Sequence, residues 1–140
     1  MQLYKKTIQI VYYFLILFIS YTTMNKFLSI ESFQTNLLKT GFFEDSTTIY
    51  LSYLIILTEF VAVLILIFYK KLGALLMASM LSVFTIYILI LRFYGRYEVC
   101  GCGGVLNGLQ FKYHLMINVV LVFSSFLIYN AFKNKNLYEN

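Results

Sequence analysis

Residues 49–93 read IYLSYLIILTEFVAVLILIFYKKLGALLMASMLSVFTIYILILRF, a pattern that leaves little choice of architecture. Two apolar runs, 49–69 and 72–93, are parted by nothing more than Lys70 and Lys71. Each run is close to the roughly 20 residues that a helix needs to cross the hydrocarbon core of a bilayer. A break this short makes the two helices antiparallel neighbours. Working outward, a run over 8–24 follows Lys5 and Lys6, and a run over 113–132 ends at Lys133 and Lys135. The expected architecture is an all-α integral membrane protein, a bundle of four transmembrane helices forming a single domain over residues 1–140.

Composition agrees. The 140 residues are 61% hydrophobic and 12% charged, with a mean hydropathy of +0.79. A soluble domain averages about 45–50% apolar and about 25% charged residues. A chain of this size buries only about 68–70% of its unfolded surface, so the apolar excess must face the lipid bilayer. No length remains for a separate soluble domain. The first run continues in bulky residues (Phe18, Ile19, Tyr21) with no small-residue cleavage site after it, so it is read as an uncleaved span.

Residues 25–48 connect the first two runs, and Phe27, Ile30, Phe33, Leu37 and Leu38 recur there at spacings of three and four. That period predicts an amphipathic helix lying against the membrane or capping the bundle; an irregular loop is the alternative. The net charge of +5 arises from short clusters beside the spans, which fits topology and not nucleic-acid binding. Lys5, Lys6, Lys70, Lys71, Lys133 and Lys135 fall on one side with Glu139. Lys26, Lys39, Arg92, Arg96 and Lys112 fall on the other with Glu31, Glu44, Asp45 and Glu98. By the positive-inside rule both termini are cytoplasmic and the two longer loops are extracytoplasmic.

The second long loop carries Cys100-Gly101-Cys102-Gly103-Gly104. Gly101 permits the sharp bend that would let the two thiols join. A ring so tight is strained, and a strained disulfide is readily exchanged. Gly103 and Gly104 leave the sulfurs open to a partner's thiolate. Arg92 and Arg96, folded toward the loop, would favour the thiolate form. Cys102 is the less obstructed nucleophile. Three further readings stay open: a structural clasp, half of a metal site, and a pair of inert cysteines. A metal is not expected, since zinc takes four ligands and His114 is the chain's one histidine.

Glu59 is the one acid inside a span, where ionisable groups face the bundle interior. It is read either as a proton acceptor or hydrogen-bond partner for a bound quinone, or as a structural carboxyl held by Asn118, Thr58, Ser79 or a neighbouring tyrosine. Asn118 is expected to be interhelical glue. His114 is expected either to face headgroups or solvent, or to donate a proton near the dithiol. Tyr4, Tyr12, Tyr13, Tyr50, Tyr53, Tyr69, Tyr94, Tyr97 and Tyr113 sit near span ends as an aromatic belt. Phe60, Phe84 and Tyr87 lie deeper, as packing residues.

Taken in order, a first span ending near Lys26, an amphipathic stretch, Glu59, the basic turn at Lys70 and Lys71, Cys100-Gly101-Cys102-x-Gly104 and Asn118 resemble the MauE/DoxX family of small four-span membrane proteins, in particular its redox-associated branch named for methylamine-utilisation MauE. The resemblance covers nearly the whole chain. It departs from the family pattern at Gly103, where phenylalanine is common, and in having a single cysteine pair. It implies a bundle related in arrangement to disulfide-generating quinone reductases, for which a quinone would be the cofactor. It also implies thiol–disulfide exchange with a thioredoxin-like or cysteine-containing exported partner. The expected function is that of a membrane thiol–disulfide oxidoreductase of the inner (cytoplasmic) membrane, with the cysteine pair on the extracytoplasmic side. A non-catalytic assembly subunit with clasped cysteines is the second reading. A pore would require an oligomer.

Overall fold

A computed structural model describes residues 2–96 and 110–133. They form five helices: α1 (Gln2–Leu28), α2 (Ile30–Lys39), α3 (Asp45–Phe68), α4 (Lys70–Phe93) and α5 (Phe111–Lys133). Four of these, α1, α3, α4 and α5, are long and apolar enough to span a membrane. The protein is a multi-pass, all-helical membrane protein. Each spanning helix runs past its apolar core into polar residues. In hydrocarbon every backbone N–H and C=O needs an internal partner, and continuing the helix supplies one.

The four long helices form a ring in which α1 packs on α3, α3 on α4, α4 on α5, and α5 back on α1. A single residue, Tyr69, separates α3 from α4. The turn closes because Gly73 has no side chain: a Cβ there would overlap the backbone of Leu66. The core runs through Leu15, Leu66, Met77, Leu81, Leu121 and Ile128. Large apolar residues cover the outside as well, Phe14, Leu17, Val120 and Phe123 among them. Helices apolar on every face belong in lipid.

One end of the bundle is fixed by the ammonium of Lys70, which sits 5.3 Å from the ring centre of Tyr12 and 5.4 Å from that of Phe132. Tyr12 also donates a hydrogen bond to the Leu66 carbonyl at 2.9 Å. It is therefore a buried interhelical tie, where the sequence placed it in the aromatic belt. The N-terminal half of α1, the α3–α4 turn and the end of α5 thus share this end.

At the opposite end α2 is a helix, as the three–four spacing predicts. Its Phe33 and Leu37 pack on Ile56 of α3, and Gln34 Nε2 donates to Ser52 Oγ at 2.9 Å. Phe27, counted with that apolar face, instead ends up in α1 and is exposed. Gly41, in a left-handed conformation (φ 67°), turns the chain from α2 toward α3.

Candidate functional site

The site is built around Glu59, in the middle of α3 and 7% exposed. Lys26 of α1 pairs with its Oε1, and the Thr23 hydroxyl donates to its Oε2 at 3.0 Å. Thr23 shares its hydroxyl with the Ile19 carbonyl at 2.9 Å. The geometry follows from helix periodicity, since Ile19, Thr22, Thr23 and Lys26 lie at i, i+3, i+4 and i+7 and all are buried on one face. Lys26 is 4% exposed, and its ammonium lies 5.9 Å from the Phe33 ring centre and 5.5 Å from that of Phe84. Two aromatic faces therefore supplement the carboxylate in replacing water around this cation.

This corrects the sequence reading twice. Lys26 is not a loop cation counted toward topology; α1 continues to Leu28 and carries the lysine into the bundle. The partners named for Glu59 are also the wrong ones. Thr58 and Ser79 turn their hydroxyls back to the carbonyls of Ile55 and Leu76 in their own helices.

Beside the ion pair lies a cavity of about 340 Å³ reached by all five helices. Phe18, Phe33, Phe84 and Leu121 contribute to its apolar wall, and Thr22, Lys26, Thr58, Glu59, Tyr87 and Asn118 are its polar lining residues. Phe84 and Tyr87, expected simply to pack, are wall residues of this space; Phe60 faces outward, 55% exposed. The Tyr87 hydroxyl lies near the Thr40 side chain but completes no hydrogen bond of normal geometry among the described residues. Asn118, on α5, is 1% exposed. Its Nδ2 has no hydrogen-bond partner among the described residues, so the amide donor is not serving as the interhelical glue expected of it. The signal for this in the sequence was its position alone, a polar amide in an otherwise apolar stretch of span.

His114 is completely buried and packs 6.3 Å, centre to centre, from the Phe84 ring. The expectation of a headgroup- or solvent-facing histidine is overturned, because the first turn of α5 is packed against α4 and does not float free. Arg92 lies over the Phe111 ring at 5.6 Å, holding the end of α4 to the start of α5. Arg96 donates to the Thr40 carbonyl and covers the Phe42 ring at 5.6 Å, which ties the α2–α3 loop to the end of α4. Cys100, Gly101, Cys102, Gly103 and Gly104 lie outside the described residues. The segment that holds them is attached at Arg96 and Gln110, both at the α2 end of the bundle, opposite Lys70. No cluster of three metal-ligating side chains occurs among the described residues.

The model of one family, methylamine utilisation protein MauE, matches residues 4–131. The chain belongs to the MauE family. The match to MauE runs from the first turn of α1 to near the end of α5 and takes in the Lys26–Glu59 pair, Asn118 and the cysteine-bearing segment. It does not extend to the DoxX half of the expected resemblance. No curated protein and no solved structure matches the chain.

A quinone, the cofactor that the MauE resemblance brings into question, fits this site in part. Both oxygens of Glu59 are already engaged, so this carboxylate is not an idle acceptor. The apolar walls and the unspent amide donor of Asn118 suit a carbonyl-bearing ring.

Proposed function

We propose that this MauE-family protein is a membrane thiol–disulfide exchange protein whose Cys100–Cys102 pair passes electrons to or from a thioredoxin-like or cysteine-containing exported partner. Membership of the family over residues 4–131, with the Cys-Gly-Cys sequence inside the matched range, carries the reading. The attachment of the cysteine segment at the end away from Lys70 and Lys71 supports it too. With those lysines in the cytoplasm, that segment faces the oxidising compartment, where disulfides form, and both termini are cytoplasmic.

In the exchange, the thiolate of one cysteine attacks the partner's disulfide. An S–S bond forms between the two proteins and one partner sulfur leaves as a thiolate that takes up a proton. The second cysteine loses its proton and displaces the other partner sulfur, which leaves as a thiolate and is protonated. The partner has gained two electrons and two protons, and Cys100–Cys102 is left as a disulfide. Oxidation of a partner is the same path reversed. A lipid-soluble quinone is the class of co-reactant that would exchange two electrons with the pair. The Lys26–Glu59 pair and α2 serve this reading as scaffold, holding the end of the bundle from which the segment emerges.

Replacing each cysteine singly by serine and resolving membrane proteins without reductant tests the proposal. A mixed-disulfide adduct in one variant, abolished in the double variant, is the expected result. No adduct in either, with the redox state of exported thiol proteins unchanged, would refute it in favour of a non-catalytic assembly role.

A further inference from the structure

Most of the polar groups around the cavity are accounted for. Thr22 donates to the Ile19 carbonyl at 2.9 Å and Thr58 to that of Ile55 at 2.9 Å. Lys26 and Glu59 hold one another, so the lining carries no net charge and favours neither an anion nor a cation. Asn118 Nδ2 and the Tyr87 hydroxyl remain, both lining the cavity and both without a hydrogen-bond partner among the described residues; of the two residues Asn118 is buried, 1% exposed, and its Nδ2 can only donate. A buried donor left unmade is disfavoured by the full desolvation of the group, and a hydrocarbon surrounding gives it no water to fall back on.

The cavity is also reachable from the side. Thr58 on α3 and Val83 on α4 both line it and both are exposed on the outside of the bundle, Val83 at 68%. They lie well inside their spans, where the surroundings are acyl chains. A volume of about 340 Å³ falls in the usual range of ligand pockets, roughly 300–1,000 Å³, and mostly apolar walls with a few placed polar groups are what such pockets show.

We propose that this cavity binds an uncharged lipophilic molecule bearing a carbonyl oxygen, which enters from the bilayer between Thr58 and Val83 and accepts a hydrogen bond from Asn118 Nδ2. Two membrane-soluble sources share that chemistry, the ring carbonyl of a quinone and the ester carbonyl of a glycerolipid. Asn118 is thereby a binding residue. The Lys26–Glu59 pair, already neutralised, fixes α1 against α3 to keep the space open.

The site is independent of the cysteines and is tested without them. The intact chain carrying Cys100→Ser and Cys102→Ser is purified in detergent and offered, in separate arms, a decyl-tailed benzoquinone or dioleoylglycerol, each labelled with 13C at its carbonyls. Native mass spectrometry reads the bound stoichiometry, and infrared spectroscopy reads the carbonyl stretch. One molecule bound per chain with a downshifted carbonyl band is expected in one arm, and that arm names the source. Asn118→Leu, close in volume but without the donor, should abolish the downshift and weaken binding about tenfold, the size of one lost hydrogen bond. Val83→Trp, on the outer rim and so tolerant of bulk, should weaken binding while leaving circular dichroism unchanged. Phe123→Leu, on the outside of α5, should bind as the parent does. Retention of neither probe by the folded parent overturns the proposal. So does binding by the folded Asn118→Leu and Val83→Trp chains equal to the parent's.

Discussion

Breaking the Lys26–Glu59 pair from one side should cost more than removing it altogether. Glu59→Gln keeps the shape of the side chain but leaves the Lys26 ammonium, 4% exposed, facing two aromatic rings and no carboxylate. Two estimates of that cost converge. Removing one partner of a buried ion pair costs about 3–5 kcal/mol, and a lone lysine at the centre of a spanning helix costs about 2.5–3.5 kcal/mol on insertion scales. Lys26 lies in the last turn of α1, so its long side chain can bend toward the headgroups and recover part of this. The expected loss is therefore near the lower end, about 3 kcal/mol. Lys26→Met alone leaves a bare carboxylate still held by the Thr23 hydroxyl at 3.0 Å, and a similar loss is expected. The double variant, Lys26→Met with Glu59→Gln, strands no charge and should regain most of the stability, since apolar replacements of buried pairs are often neutral or better. Equilibrium unfolding of the four proteins in mixed micelles of increasing sodium dodecyl sulfate completes the cycle. If Glu59→Gln lies within about 0.5 kcal/mol of the parent, the range of ordinary surface substitutions, or if the two single losses simply add, the pair is not the buried, coupled unit described.

Two further predictions concern the bundle's ends. Gly73→Ala should destabilise the protein by about 1–3 kcal/mol, the usual cost of forcing a methyl group into filled space, because the added Cβ meets the Leu66 backbone and no flexible side chain can yield; an unchanged thermal midpoint in detergent would contradict the close α3–α4 approach. Arg96→Ala removes the donor to the Thr40 carbonyl and the cation over Phe42, and should raise hydrogen exchange at Gly41 and Phe42 while leaving α5 as it was; equal protection in both proteins would show that the arginine does not hold that loop.

Much of the fold was legible because it rests on local properties. The turn at Lys70 and Lys71 needs nothing beyond two neighbouring apolar runs, and α2 announces itself by the spacing of Ile30, Phe33 and Leu37. The site was legible in part. Glu59 and Asn118 stand out as polar residues in apolar surroundings. Lys26, at the edge of an apolar run, reads as easily as a loop cation, and the burial of His114 has no signature in a sequence where histidine occurs once. Tyr12 was misplaced for the same reason, because a tyrosine near a span end looks alike whether its hydroxyl meets a headgroup or, as here, the Leu66 carbonyl.

That the chain lives in a membrane and crosses it as helices follows from local sums, since apolar length and scarcity of charge add up over neighbouring residues and require no partner. Which polar groups meet is a matter of packing between helices. Whether Glu59 faces Lys26 or Asn118 depends on how far each helix is rotated and slid against the next, and those rotations are set by packing at Gly73, Leu66 and the core. That packing pairs Glu59 with Lys26 and leaves the amide of Asn118 beside an apolar cavity.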